Sequence, residues 1–251
     1  IFRIIRAVKG HALVYYTDRM RKTYLPTGAD ALLKVDFHTH TCYSHDCLIS
    51  IEAFINAARR SGLDRVVVTD HNTIRGALLA AEAAPELVIA GEEVQTTEGE
   101  FLAAFVTREL PYGLEPLEAL KRLKDQGAFI SISHPFDPQR SGWSQRTLDL
   151  IAPQVDALEV FNARVLSPLY NTHAQSYAAS LGMPGTAGSD AHHPSEIGRA
   201  YSMVPDFADA AGLRAAISEA RSRGRVSLPL VHVYSTWAKV VKKLQASRKE
   251  N

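Results

Sequence analysis

The chain has 251 residues, of which 46% are hydrophobic and 22% charged, and its formal net charge is +1. This balance is typical of a globular protein, excludes a disordered chain, and gives no indication of nucleic-acid binding from overall charge. No stretch approaches the ~18 apolar residues of a membrane-spanning helix and no clear signal-cleavage site follows the apolar start, so we expect a cytoplasmic protein without a membrane span.

The chain begins with a basic, irregular stretch, residues 1–34, which we interpret as an N-terminal extension of undefined structure. The turn signal YLPTG closes it. A little further on lie the only cysteines, Cys42 and Cys47. Two cysteines cannot build a disulfide framework, and we expect both to be reduced thiols without a metal.

From residue 35 onwards, predicted strands and helices alternate. The first helix, SIEAFINAARRSG, has Ser50 as its N-cap and Gly62 as its stop. The predicted strands are LLKVDFH, RVVVTD, LVIAGEEV, FLAAFV, AFISIS, DALEVF, GTAGSD and GRAYSMV, and the last predicted helix is FADAAGLRAAISEARSRG. This alternation indicates βα units and a parallel sheet, and seven or eight strands favour a closed α/β barrel over residues 35–232.

The last segment, 233–251, is basic and is predicted to be a C-terminal helix or tail. We expect a solvated helix or a frayed terminus, and the alternative is a contact with a phosphate or a partner. Glycine motifs for dinucleotides or nucleoside triphosphates are absent from the sequence.

Histidines and carboxylates collect at the ends of the predicted strands. Asp36, His38 and His40 have i, i+2, i+4 spacing and would share one face of an extended strand. The further clusters are Asp70 and His71 in TDHN, Glu92 and Glu93 in GEEV, His134 in SHPF, Glu159 and Asn162 in EVFN, and Asp190, His192 and His193 in SDAHH. Because the C-terminal ends of barrel strands meet at one rim, these side chains should converge in space.

So many ionisable groups at one rim indicate bound metal, because burying them without compensation is costly. Imidazole and carboxylate ligands suit Zn, Mn or Fe. The number of ligands exceeds what one ion needs, so we expect two or three divalent ions, with a carboxylate bridging a pair roughly 3.5–4 Å apart.

The ordered motifs DFHTH, TDHN, GEEV, SHP, EVFN and SDAH, over roughly residues 35–205, resemble those of the PHP (polymerase and histidinol phosphatase) family. The resemblance implies a metal-dependent phosphoesterase on a distorted (β/α)7 TIM-like barrel, with its metal site at the C-terminal rim of the strands.

The resemblance also implies the ligands. His38, His40 and Asp190 would hold the first metal, Glu93 would bridge to the second, and His134 would complete the second site. Glu93 is preferred to Glu92 because it directly precedes the aliphatic Val94. A third metal would take His71, His192 and a residue of the loop Ser44-His45-Asp46-Cys47, for which we favour Asp46 over His45.

Other rim residues have supporting roles as hypotheses. Asp70 is expected to orient a metal-bound histidine. Glu159 and Asn162 are either a ligand and a substrate contact or hydrogen-bonding residues of the rim. Arg164 and Arg199 are candidates for holding a phosphate with a bidentate guanidinium.

The expected reaction is hydrolysis of a small phosphomonoester or a nucleotide or oligonucleotide phosphate by a metal-bridging hydroxide. His192 or His45 would protonate the leaving alkoxide. Two alternatives remain, a metal-dependent hydrolase of a C–N bond and a non-catalytic metal-binding module. The sequence does not identify the phosphate ester or the oligomeric state.

Overall fold

The computed structural model describes residues 32–140 and 142–247. The predicted extension therefore lies almost wholly outside the described residues, as does the end of the basic tail. The strands are β1 (Leu32–Thr39), β2 (Arg65–Val68), β3 (Val88–Gln95), β4 (Glu100–Ala104), β5 (Phe129–Ile132), β6 (Ala157–Asn162), β7 (Gly185–Gly188), β8 (Ala200–Pro205) and β9 (Arg221–Gly224). The helices are α1 (Ile51–Arg60), α2 (Arg75–Ala83), α3 (Pro116–Asp125), α4 (Gln145–Ile151), α5 (Pro168–Ser180), α6 (Ala210–Ala216) and α7 (Val231–Ser247).

The nine described strands form one sheet in the order β7-β6-β5-β4-β3-β2-β1-β8-β9. The sheet curls until its β7 end meets β1: Asp190 N donates to His38 O at 2.7 Å, and Thr39 forms a parallel bridge with Ala191. The fold is a distorted, nearly closed α/β barrel, as the sequence predicts.

Strand direction departs from the predicted parallel sheet. β4 is antiparallel to both β3 and β5, and β8 is antiparallel to β1 and β9. A short connection, residues 96–99, joins β3 to β4, and a parallel pair would need a crossover of a dozen or more residues. The N-terminal end of β4 therefore lies beside the C-terminal ends of β3 and β5.

The last predicted helix is too long. α6 ends at Ala216, a 3-10 turn covers Ile217–Glu219, and Arg221–Gly224 form the edge strand β9. Gly224 lies so close to Phe161 and Ala200 that an added Cβ would sit 2.6 and 2.8 Å from their side chains. Pairing with β8 thus overrides the helical propensity of ARSRG.

Helix ends follow local sequence. The Ser50 side chain accepts a hydrogen bond from Ala53 N at the start of α1, as predicted, and Gly62 follows the helix with φ +65°. Phe54 of α1 is fully buried in a cluster with Val66 and Val88. None of the described helices is both long enough and apolar enough to cross a membrane.

α7 follows the barrel and turns an apolar stripe to solvent. Val233, Trp237, Val240 and Leu244 recur at helical spacing, and each side chain is 45–61% exposed. Ala238, on another face of the same helix, is 2% exposed. The face opposite the stripe is therefore the one that packs on the barrel.

Candidate metal centre

The predicted ligands come together at the rim of the barrel. Candidate ligand atoms lie within 4.8 Å of one another in five overlapping groups. These groups are His38, His40 and Asp190; His38, Glu93 and His134; His40, His71 and His192; His45, Asp46 and His71; and His71, Glu93 and Glu100. All eight of the predicted metal ligands are among them.

The HxH histidines are oriented from behind by hydrogen bonds. Nδ1 of His38 donates to Glu159 Oε1 at 2.9 Å. Nδ1 of His40 lies 2.9 Å from Ser44 Oγ, which donates its own proton to Asp70 Oδ1 at 2.7 Å. Because that hydroxyl can then only accept from His40, the His40 proton sits on Nδ1 and the Nε2 lone pair faces the cluster.

His192 follows the same rule, since its Nδ1 donates to the backbone carbonyl of Asp190 at 2.8 Å. Its Nε2 then lies 3.2 Å from Asp46 Oδ1. Such a hydrogen bond to one ring nitrogen, with the other directed into a shared cavity, is the usual arrangement of a metal-binding histidine.

Besides His134 Nδ1, six buried atoms of the described cluster make no hydrogen bond of normal geometry, although unpaired buried polar atoms are rare and costly. They are Nε2 of His38, His40 and His192, Oδ1 of Asp46 and Asp190, and Oε2 of Glu93. These atoms face one another, and a cation among them would satisfy both the ring lone pairs and the carboxylates. The donor set therefore fits divalent metal ions.

Glu93 occupies the middle of the cluster. Its Oε2 lies 2.9 Å from His71 Nδ1, 3.3 Å from His38 Nε2 and 3.4 Å from His40 Nε2, and its Oε1 lies 3.1 Å from His134 Nε2. Glu92 instead accepts from Leu110 N at 3.3 Å, on the other face of β3. A bridging role is thus open to Glu93 and not to Glu92.

Asp46 joins the third group. Its Oδ1 lies 3.5 Å from His71 Nε2 and 3.2 Å from His192 Nε2, and its side chain is 8% exposed. His45 is 63% exposed and contacts the group only at its edge, with Nε2 3.9 Å from Asp46 Oδ2. The sequence left Asp46 and His45 as alternative ligands for the third metal. Asp46 has the position of a ligand, whereas His45 lies at the solvent-exposed edge of the cluster, here called its mouth.

The cluster shifts the pKa values of its own members. Burial by itself would raise the pKa of Glu93 and Asp190, but nearby cations outweigh it, and both pKa values lie well below normal. Those cations are His38 and His71 for Glu93, and Arg140 and His38 for Asp190. Burial would likewise lower the pKa of His38, yet the carboxylates of Glu93 and Asp190 raise it well above normal. These opposite shifts in pKa reflect how closely the imidazoles and carboxylates of the cluster face one another.

Asp190 owes its position to the backbone. It has φ +52°, a left-handed conformation that costs energy for residues other than glycine. Just before it, Gly188 brings β7 against β1, because an added Cβ would lie 2.2 Å from His38 Cβ. Asp36 stabilises this seam between β1 and β7 by accepting hydrogen bonds from Ser189 N and Gly198 N, each at 2.9 Å.

Asp36 therefore does not share a face with the HxH pair as predicted. The pairing of β1 with β2 shifts register between Asp36 and Thr39, and this irregularity breaks the regular alternation of side chains that the prediction assumed. Burial raises the pKa of Asp36 to about 6.

Two functional candidates escaped the sequence analysis. Glu100 is buried, with Oε2 3.3 Å from His134 Nε2, and burial together with Glu93 raises its pKa. It begins the antiparallel strand β4, so a search of C-terminal strand ends misses it. Arg140, in the loop after β5, donates to Asp190 Oδ2 at 2.6 Å. No local sequence motif predicts this contact.

The remaining predicted residues lie around the cluster. Asp70 accepts from Thr41 N and Ser44 Oγ, each at 2.7 Å, and so supports His40 through the serine. Asn162 Nδ2 donates to Glu159 Oε2 and to Asp190 Oδ2, each at 3.2 Å. Asp70 and Asn162 thus orient residues of the cluster through hydrogen bonds.

The two arginines proposed for phosphate are placed differently. Arg164 is buried, with its guanidinium 3.1 Å from Glu196 Oε2 and 3.0 Å from Ser235 Oγ. Arg199 is exposed and directly precedes β8. The two contacts direct the Arg164 guanidinium at Glu196 and Ser235. The cations that contact aspartates of the cluster are instead Arg140 and Lys239.

Comparison with known proteins agrees with this geometry. The PHP domain model matches residues 36–134, and the model of a PHP-associated region matches residues 168–222. An uncharacterized protein of Methanocaldococcus jannaschii, MJ1587, is 36% identical over 145 residues, which cover 52% of this chain and 82% of the relative. The chain belongs to the PHP family.

Solved structures share the fold at low identity. PsfC of Pseudomonas syringae superimposes with a TM-score of 0.65 at 17% identity, covering 84% of this chain and 99% of PsfC. The lesion-specific endonuclease EndoQ of Pyrococcus furiosus gives a TM-score of 0.55 at 16% identity, covering 76% of this chain and 58% of the endonuclease. At these identities the likeness concerns the fold.

Proposed function

We propose that the protein is a metal-dependent phosphoesterase that hydrolyses a phosphate ester at the rim cluster. Family membership and the His/Asp/Glu cluster support the broader class, a metal-dependent hydrolase. The observation that carries the proposal is the set of six buried, unpartnered ring and carboxylate atoms that face one another.

His38, His40 and Asp190 would hold one divalent ion, Glu93 with His134 a second, and Asp46 with His71 and His192 a third. Bound ions of this kind lower the pKa of a coordinated water and neutralise charge on phosphoryl oxygens. Glu159, Ser44 and Asp70 keep the imidazoles in the required tautomer, which spares the site a rearrangement when ions bind.

The surrounding residues suit a phosphate. Arg140 is one-fifth exposed beside Asp190 and offers further N–H donors to an anion. His45, largely exposed at the mouth, and His192 are the candidates for protonating the leaving alkoxide. His45 is the less buried of the two and, unlike His192, is not one of the proposed metal ligands.

The test is release of phosphate by protein loaded with Mn²⁺ or Zn²⁺, over nucleotides, bisphosphates and sugar phosphates, with a panel of amides in parallel. We expect phosphate release that a chelator abolishes and that His38→Ala and Asp190→Ala also abolish, while both variants keep their circular dichroism spectrum. His173→Ala, in an exposed histidine of α5, is the control and should stay active. Amide cleavage, or inertness of metal-loaded protein, would contradict the proposal.

A further inference from the structure

Helix α7 lies across one side of the candidate metal centre. The Tyr234 ring stacks on His193 with centroids 4.3 Å apart, and Ser235 Oγ accepts from Arg164. Further along, Lys242 Nζ donates to the backbone carbonyl of Cys42 at 2.6 Å and to that of Ser44. The helix thus contacts three rim loops, those after β1, β6 and β7.

The helix directs a lysine at the centre. Lys239 Nζ lies 3.7 Å from Asp46 Oδ2, and the Lys239 side chain is 55% exposed. The segment predicted to be a solvated tail therefore brings a cation to the ligand cluster. A half-exposed ion pair at this distance contributes little to stability, so stability alone does not account for the placement.

A second cation approaches from another element. Arg140, in the loop after β5, donates to Asp190 Oδ2, whereas Lys239 reaches Asp46. Both aspartates neighbour His192, at 3.4 Å for Asp190 Oδ1 and 3.2 Å for Asp46 Oδ1. Arg140 and Lys239 therefore bracket the His192 side of the cluster.

We propose that Lys239 and Arg140 form the binding site for the non-reacting oxygens of a terminal phosphate monoester, and that α7 excludes phosphodiesters within a polymer. This inference rests on the proposed function and specifies its substrate class. A terminal monoester carries three acceptor oxygens and nearly two negative charges at pH 7, so oxygens that do not bind the proposed ions can accept from Lys239 and Arg140. A strand passing through the centre would need the rim open on both sides, and α7 occupies one of them.

The first test compares Lys239→Met with Lys243→Met, its control in an exposed lysine of the same helix. With Mn²⁺-loaded protein and p-nitrophenyl phosphate, we expect Lys239→Met to raise KM about tenfold at nearly unchanged kcat and metal content. The Lys243→Met variant should match the wild type. An unchanged KM, or loss of activity together with loss of metal, would overturn the role given to Lys239.

Binding of inorganic phosphate, followed by calorimetry on metal-loaded protein, separates this inference from the proposed function. If the wild type binds phosphate and Lys239→Met binds it about tenfold more weakly, the lysine site stands even where no ester is cleaved. Equal binding by the two proteins would refute the site even where the wild type is an active phosphatase.

The second test concerns polymers. A closed-circular single-stranded DNA offers only internal phosphodiesters, whereas a linear oligonucleotide with a terminal phosphate offers both kinds of bond. We expect phosphate release from the linear substrate and an intact circle. Nicking of the circle at a comparable rate would show that α7 does not restrict the centre and would overturn that part of the proposal.

Discussion

The Nδ1 atom of His38 and the Oε1 atom of Glu159 lie 2.9 Å apart in the barrel, although 121 residues separate them in the chain. Both side chains are fully buried. Because a carboxylate only accepts, this hydrogen bond fixes the proton of His38 on Nδ1 and directs Nε2 at Glu93 and Asp190. The folded barrel thus sets the orientation of a candidate ligand before any ion binds.

Glu159→Ala should weaken metal binding about 10- to 100-fold, because His38 would lose the partner that holds its ring. The measurement is the dissociation constant for Zn²⁺ in competition with a chromogenic chelator. Glu86→Gln, in an exposed glutamate paired with Arg59, serves as the control. If Glu159→Ala binds Zn²⁺ as tightly as the wild type, the hydrogen bond between Glu159 and His38 is not needed to orient the histidine.

Asp46→Asn should reduce the metal content by about one ion per chain, because Asp46 contacts His71 and His192 but not the HxH pair. The substitution preserves the size of the side chain, but it replaces the negatively charged carboxylate ligand with a neutral amide. Elemental analysis of both proteins, prepared side by side, measures the difference. Equal metal content would remove Asp46 from the ligand set, and His45→Ala is the matching variant for the alternative ligand.

Gly188→Ala should open the seam between β7 and β1, because the new Cβ would lie 2.2 Å from His38 Cβ and 2.9 Å from His38 N. We expect a loss of about 1–3 kcal/mol in the free energy of unfolding, together with weaker metal binding. Gly212→Ala, in helix α6 with no contact under 3.4 Å, should be neutral or stabilising. Urea unfolding of both variants tests this, and a fully stable Gly188→Ala would contradict the close approach.

The buried Glu92 should make stability depend on pH. Burial raises its pKa from a usual 4.5 to about 8. The contribution to stability is therefore full below pH 4.5, where the carboxyl is protonated in both states, and is lost as pH rises to about 8, because the unfolded chain releases the proton first. The loss is about 1.4 kcal/mol for each pH unit.

Glu92→Gln removes that titration, so its stability relative to the wild type should increase between pH 5 and pH 8. Urea unfolding of both proteins with a chelator present measures this difference without bound metal. Glu86→Gln should show no comparable trend, since that side chain is about half exposed. A constant difference between Glu92→Gln and the wild type would show that Glu92 is not protonated in the native state.

The sequence predicted those parts of the centre that lie at C-terminal ends of strands. HxH, TDH, SHP and SDAH place His38, His40, His71, His134 and Asp190 beside one another once a barrel is assumed. The choice of Glu93 over Glu92 needed only the family pattern, and the structure places Glu93, not Glu92, among the histidines.

Other parts depend on geometry that no local pattern records. Glu100 approaches His134 because β4 is antiparallel to its neighbours. A prediction of a wholly parallel sheet places the start of β4 at the opposite end of the barrel and so misses this residue. Arg140 and Lys239 reach Asp190 and Asp46 from a loop and from the terminal helix, so their roles depend on tertiary packing. The basic character of the last segment was visible in the sequence, but its docking on the rim was not.

The measurement that tests the metal centre most directly is elemental analysis of the wild-type protein after purification with added Mn²⁺ or Zn²⁺. The unpartnered atoms of His38, His40, Glu93 and Asp190 lead us to expect two or three divalent ions per chain. Less than one ion per chain would contradict a metal-dependent hydrolase and favour a module in which the cluster is structural.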